Sequence, residues 1–110
     1  MVIEITSSNY DAEVVNSKIP VIVDHFADWC GPCRIIGPIF EKLDKDSSFK
    51  GKLKFARVDV QANQDIAERN NVLGIPCLIV FSKGKEVNRI VGALPEQELR
   101  ATIKEILKNI

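Results

Sequence analysis

Apolar positions along this chain recur with two different periods, and the switches between them lay out the elements. Residues Val2 to Thr6 alternate apolar and polar, which predicts a short strand near a sheet edge. Ser8 or Asn9 is placed to cap a short helix from about Tyr10 to Asn16, with Val14 and Val15 facing inward. Pro20 opens an apolar run through Ala27, which predicts a central strand covered on both faces. A period of two puts Ile22, Asp24 and Phe26 on one face and Val21, Val23 and His25 on the other.

After Cys33 the spacing becomes helical. Ile36, Ile39, Phe40 and Leu43 form a core stripe, with Glu41, Lys42, Asp44 and Lys45 outward. Pro38 lies inside this helix and predicts a kink. Ser47 to Gly51 ends it. Leu53 to Val60 reads as a strand with Phe55 and Val58 on opposite faces, and Asn63 caps a short helix to about Asn70. Gly74-Ile75-Pro76-Cys77 leads into the strand Leu78 to Phe81. Ser82-Lys83-Gly84-Lys85 is a hairpin turn into a strand from Glu86 to Val91, which Gly92 breaks. Pro95 opens the last helix at a first-turn position, with Leu99, Ile103, Ile106, Leu107 and Ile110 on one buried face. Strands and helices alternate until the final hairpin. That order predicts an α/β fold, a mixed sheet with helices on both faces.

Composition narrows the function classes. A length of 110 residues suits one domain, residues 1–110, with a core that needs no disulfide or metal support. Fifteen basic and 15 acidic residues balance to zero, which argues against nucleic acid or anionic membranes as partners. No apolar run approaches the roughly 18 residues of a membrane span. The first residues turn polar too early for a secretory signal. Three cysteines, two of them close neighbours, do not resemble a secreted disulfide framework, so a reducing cytoplasm is the expected location.

The candidate chemistry lies at Trp29-Cys30-Gly31-Pro32-Cys33, where the central strand gives way to a helix. A helix start offers unpaired N–H groups and the positive end of the dipole, and both favour a thiolate. Cys30 is expected at the exposed edge of the helix as the attacking sulfur. Cys33 lies about one turn further in and can close back onto it. Pro32 falls in the first turn, where a missing N–H is harmless, and stiffens the loop between the sulfurs. Gly31 leaves room for a partner chain. Half of a zinc site is the competing reading. A structural zinc site wants four ligands, and only Cys77 and His25 are left to supply the rest, with His25 directed away from Asp24. No metal is expected.

Trp29-Cys30-Gly31-Pro32-Cys33, with Asp24 upstream, Gly74-Ile75-Pro76 downstream and Val91-Gly92 before the final helix, resembles the thioredoxin family from the first strand to the last helix. That family is the usual illustration of Cys-X-X-Cys reactivity. The resemblance implies the thioredoxin fold, a three-layer sandwich with a central mixed five-stranded sheet flanked by four helices. It also implies a cis Ile75–Pro76 bond. It implies a redox-active Cys30–Cys33 disulfide, Cys30 as nucleophile, Cys33 as resolving cysteine, and Asp24 as a buried carboxylate that exchanges a proton with Cys33. Trp29, Gly31, Pro32, Ile75, Pro76 and Gly92 are similar to the surface that receives a target segment. Arg57 stands where the family more often has lysine. It keeps the positive charge but cannot readily give up a proton, so an electrostatic tuning role is what remains.

The expected activity is general reduction of protein disulfides, with no bound cofactor. The partners would be disulfide-containing targets and a thioredoxin reductase, of the NADPH and flavin type by family default. A monomer is expected. A disulfide isomerase or oxidant of the same fold, and a non-catalytic binding subunit using the same surface, are the alternatives. Two residues depart from the family pattern. Cys77 follows the proline where threonine is common and reads as a small apolar filler. His25 reads as a packed, hydrogen-bonded histidine.

Overall fold

A computed structural model describes residues 1–110. Its strands are β1 (Ile3–Ile5), β2 (Val21–Phe26), β3 (Lys54–Asp59), β4 (Cys77–Ser82) and β5 (Lys85–Val91). Its longer helices are α1 (Gly31–Asp44), α2 (Gln64–Arg69) and α3 (Glu96–Lys108), with a short π-type helix at Asp11–Val15 and a 3₁₀ turn at Ser47–Phe49. The sheet order is β1-β3-β2-β4-β5. β3 runs parallel to both β1 and β2, and β4 is antiparallel to β2 and β5. β2 is therefore central, and its apolar run from Val21 is buried on both faces as expected.

Side-chain alternation along the strands divides the core in two. On one face Ile22, Phe55, Leu78 and Val80 meet Ile36, Phe40 and Leu43 of α1 and Leu99, Ile103 and Ile106 of α3. Phe40 and Phe55 pack edge to face, ring centroids 5.0 Å apart. On the other face Val21, Val23, Val58 and Ile79 meet Tyr10, Val14 and Ile66. The layers are helix, sheet, helix, which is the sandwich the resemblance implies. The β4–β5 turn uses Lys83 and Gly84, both with positive φ (55° and 79°), as a tight two-residue hairpin requires.

The helix termini differ from the sequence expectation. Neither Ser8 nor Asn9 caps the first helix. The Asn9 carboxamide oxygen instead accepts from the Thr6 N–H at 2.7 Å. Asn63 stands at the start of α2, but its side chain accepts from the Ser7 N–H at 3.0 Å and does not cap. Both side chains are drawn off by the loop after β1. Pro95 precedes the first turn of α3 and does not lie within it. Val15 and Leu107 are half-buried, and Ile110, two residues past the end of α3, is exposed.

Candidate active site

The Cys30–Cys33 pair sits where β2 hands over to α1. Cys30 is the residue just before the helix, in extended conformation, and Pro32 occupies the first turn. The two sulfurs are bonded as a disulfide, with Cα atoms 5.2 Å apart. The Cys33 N–H points at the Cys30 sulfur at 3.2 Å, so Cys30 takes the place of a helix cap. Arg34 holds the approach to the helix, its guanidinium donating twice to the Asp28 carbonyl at 3.0 and 2.8 Å.

Cys30 is far less exposed than its place at the helix edge suggests. It is only 4% accessible and Cys33 6%. Residues from the far side of the chain cover it. Its sulfur lies 3.8 Å from the Ile75 carbonyl oxygen, and Ile75, Phe26 and Val60 pack against the pair. The Ile75–Pro76 bond is cis. Pro76 is buried, and its carbonyl accepts from the Gly92 N–H at 2.8 Å, which ties the end of β5 to this loop. Gly92 has φ +94°, a conformation glycine adopts without strain.

Around the disulfide the surface is apolar and open. Trp29 is 64% exposed, Gly31 and Pro32 are exposed, and Ile75 is partly so. Leu73, fully exposed, and Val91, 61% exposed, are further apolar side chains open to solvent. The hydrophobic pattern singles out neither of these two. Their signal lies in the motifs: Leu73 stands one residue before Gly74-Ile75-Pro76, and Val91 belongs to the Val91-Gly92 pair before the final helix.

Asp24 is in β2, buried to 3% exposure, and its Oδ1 has no hydrogen-bond partner. Burial pushes its pKa up to about 7, against the opposing pull of the Arg57 charge. The Arg57 guanidinium lies over the Phe26 ring, 5.0 Å from its centroid, and its Nε donates to Glu4 at 2.9 Å. A cleft of about 370 Å³ opens beside the pair, lined by Phe26, Cys33, Glu41 and Arg57 among others. Cys33 and Arg57 both line it. His25 and Cys77 lie in the core on the opposite face of the sheet from Asp24. His25 is fully buried, and Cys77 is a buried free thiol whose pKa burial pushes up. No helix is long and apolar enough to cross a membrane.

Such a site can hold two electrons as a dithiol and release them on forming the disulfide. Comparison with known proteins agrees. The family model for thioredoxin matches residues 1–105. Thioredoxin C-2 of Corynebacterium nephridii is 38% identical over 104 residues, covering 94% of each chain. A bifunctional thioredoxin reductase/thioredoxin of Mycobacterium leprae is 35% identical over 98% of this chain and 23% of its own length. The crystal structure of a Malassezia sympodialis thioredoxin superposes with a TM-score of 0.87 at 30% identity, covering 97% of this chain and 91% of the other. The chain belongs to the thioredoxin family and is a thiol–disulfide oxidoreductase that reduces protein disulfides through its Cys30–Cys33 pair.

Proposed function

We propose that the two sulfurs divide the work, Cys30 as nucleophile and Cys33 as resolving thiol. In the reduced pair, the Cys30 thiolate attacks one sulfur of a target disulfide. The target S–S bond breaks, its second sulfur leaves as a thiolate and takes a proton, and a mixed disulfide joins the two chains. Cys33 gives its proton to Asp24 and attacks the Cys30 sulfur, and the first target sulfur leaves. Two target thiols and the Cys30–Cys33 disulfide remain, so two electrons have passed to the target.

One observation carries this assignment. Cys30 stands at the mouth of α1, and its sulfur accepts the Cys33 N–H at 3.2 Å. Helix N–H groups and the dipole stabilise a thiolate there and give no such help deeper in the helix. Asp24 suits the proton-transfer role because a group titrating near 7 both takes and returns a proton at neutral pH. Arg57 stays charged throughout and acts on Asp24 electrostatically.

Trp29, Gly31, Pro32, Ile75, Pro76 and Gly92 form the docking surface. An extended target segment pairs by backbone hydrogen bonds beside Ile75, which recognises shape more than sequence. A separate thioredoxin reductase of the NADPH and flavin type re-reduces the pair, a reading supported by the fused reductase named in the M. leprae relative. The cysteines themselves carry the electrons, so the chain needs no cofactor. The reading is completed by a monomer of one domain, residues 1–110, working in a reducing cytoplasm, a location supported by three cysteines that do not resemble a secreted disulfide framework.

The test is a Cys33→Ser variant offered a protein disulfide. Stable mixed disulfides through Cys30, seen by mass spectrometry, are the expected result. Their absence with every disulfide substrate tried would overturn the assignment.

A further inference from the structure

The parallel strands β1, β3 and β2 align three charged residues in a row. Glu4 is opposite Arg57, and Arg57 is opposite Asp24. Alternation puts all three on the face covered by α1 and α3. Ile22 and Phe55 belong to the core on that face, whereas Ile5, Val23 and Val58 belong to the other. An acid–base–acid row therefore runs inward from the edge strand. Glu4 and Arg57 are about half exposed, and Asp24 is buried.

Arg57 has committed its guanidinium to the outer end of this row. Its Nε donates to Glu4 Oε1 at 2.9 Å, and its face rests on the Phe26 ring. The inner carboxyl receives nothing from it, and Asp24 Oδ1 is without a partner. The charges that act on Arg57 are Glu4 from β1, Asp24 from β2 and Glu41 from α1. Asp24 meets the Arg57 charge from β3, and the Cys77 thiol of β4, on the other face of the sheet, feels the Asp24 charge only through the sheet.

We propose that Glu4 is a positioning residue for the resolving step: it anchors Arg57 at the sheet edge, so that the guanidinium acts on Asp24 from a distance and does not close on it as a contact ion pair. A contact pair would trap the carboxylate in its charged form and leave it a poor match for a proton that must be taken up and returned at neutral pH. This rests on the reading of Asp24 as the proton acceptor for Cys33.

The test is a cycle of Glu4→Ala, Arg57→Gln and the double variant. The Asp24 carboxyl is titrated by NMR in the oxidised protein, where no active-site thiol titrates beside it. Glu4→Ala is expected to lower the Asp24 midpoint by about one pH unit, because the freed guanidinium closes on the carboxyl. In the Arg57→Gln background the same change should move it by no more than a few tenths, the residue of screened direct repulsion. Glu4→Asp should restore most of the original midpoint. In the reduced protein, the pH midpoint of mixed-disulfide resolution should fall with Glu4→Ala. No change of midpoint on Glu4→Ala, or an equal change with and without Arg57, overturns the proposal. Asp24→Asn is measured alongside. If it resolves mixed disulfides at the unaltered rate, the proton-acceptor reading fails, and with it the part of the proposal that concerns resolution. The titration cycle separately decides whether Glu4 anchors Arg57.

Discussion

His25 donates from Nδ1 to the Cys77 carbonyl oxygen at 2.9 Å, across the antiparallel pair β2–β4. The Val23 carbonyl is a second acceptor at 3.1 Å. Two carbonyls around Nδ1 fix the neutral tautomer with its hydrogen there, which leaves Nε2 as a bare lone pair. Nε2 is buried without a partner. Protonation would place a charge and a second N–H where nothing accepts them, so burial holds the His25 pKa below its usual 6.5. The nearby Arg89 charge acts in the same direction, and Glu86 and the two carbonyls oppose it.

The expected consequence is acid sensitivity from this one side chain. A lowered pKa means that the contribution is fully present above about 6.5 and is lost as pH falls through the folded value. His25→Phe keeps the packing volume and removes the titration. Urea midpoints between pH 7.5 and 5 should fall less steeply for the variant than for the parent chain. Identical slopes would show that His25 is not buried as a neutral base.

Asp24 has the opposite sign. Its pKa rises on folding from 3.8 to about 7, so the contribution of the protonated form is complete below 3.8 and is lost as pH rises through 7. Above neutrality the fold carries a buried, unpaired carboxylate. Asp24→Asn should therefore stabilise the protein at pH 8 to 9, with an upper bound on the order of 4 kcal/mol, at about 1.4 kcal/mol for each pH unit separating the folded and unfolded values. The gain should shrink towards zero near pH 4. A gain independent of pH would mean that the carboxylate is solvated in the native state.

These two residues also show how far the amino-acid pattern reaches. A strict period of two in β2 separates Asp24 from His25 and assigns each to a face, and both are buried because the run around them is apolar. The same local logic finds α1 and the Lys83-Gly84 turn. It fails where a distant segment decides the outcome. Cys30 is covered by Ile75, which is 45 positions away. Asn63 turns from its own helix to Ser7, 56 positions away. Arg57 meets Glu4 only because β1 and β3 pair in one register, and parallel strands have no connecting turn to announce it. Local spacing names the groups that do the chemistry, and long-range pairing decides how exposed and how charged they are.

The third cysteine should be silent. Cys77 is 1% exposed, and burial pushes its thiol away from the reactive thiolate form. When the reduced native protein is treated with iodoacetamide at pH 7, Cys30 should be modified first and Cys77 only after unfolding. Cys77→Ala should retain reductase activity and lose about 1 kcal/mol of stability or somewhat less, consistent with removal of one small buried group. Modification of Cys77 at a rate near that of Cys30 in the native protein would contradict this, and so would loss of turnover in the variant.

Trp29 separates docking from folding. It adjoins Cys30 yet leaves 64% of its surface in water, which a core tryptophan would not do. An exposed aromatic ring contributes little to the fold but much to a contact that covers it. Trp29→Ala should leave the urea midpoint within about 0.5 kcal/mol of the parent, the range usual for surface positions. The second-order rate of reduction of a folded protein disulfide should fall by about tenfold, equivalent to roughly 1.4 kcal/mol of lost contact. The rate with a small disulfide such as oxidised glutathione, which is too short to reach across the ring and the Ile75 loop together, should change much less. Equal losses for both substrates would place the ring in the chemistry of the sulfur pair, and a large drop in stability would place it in the core.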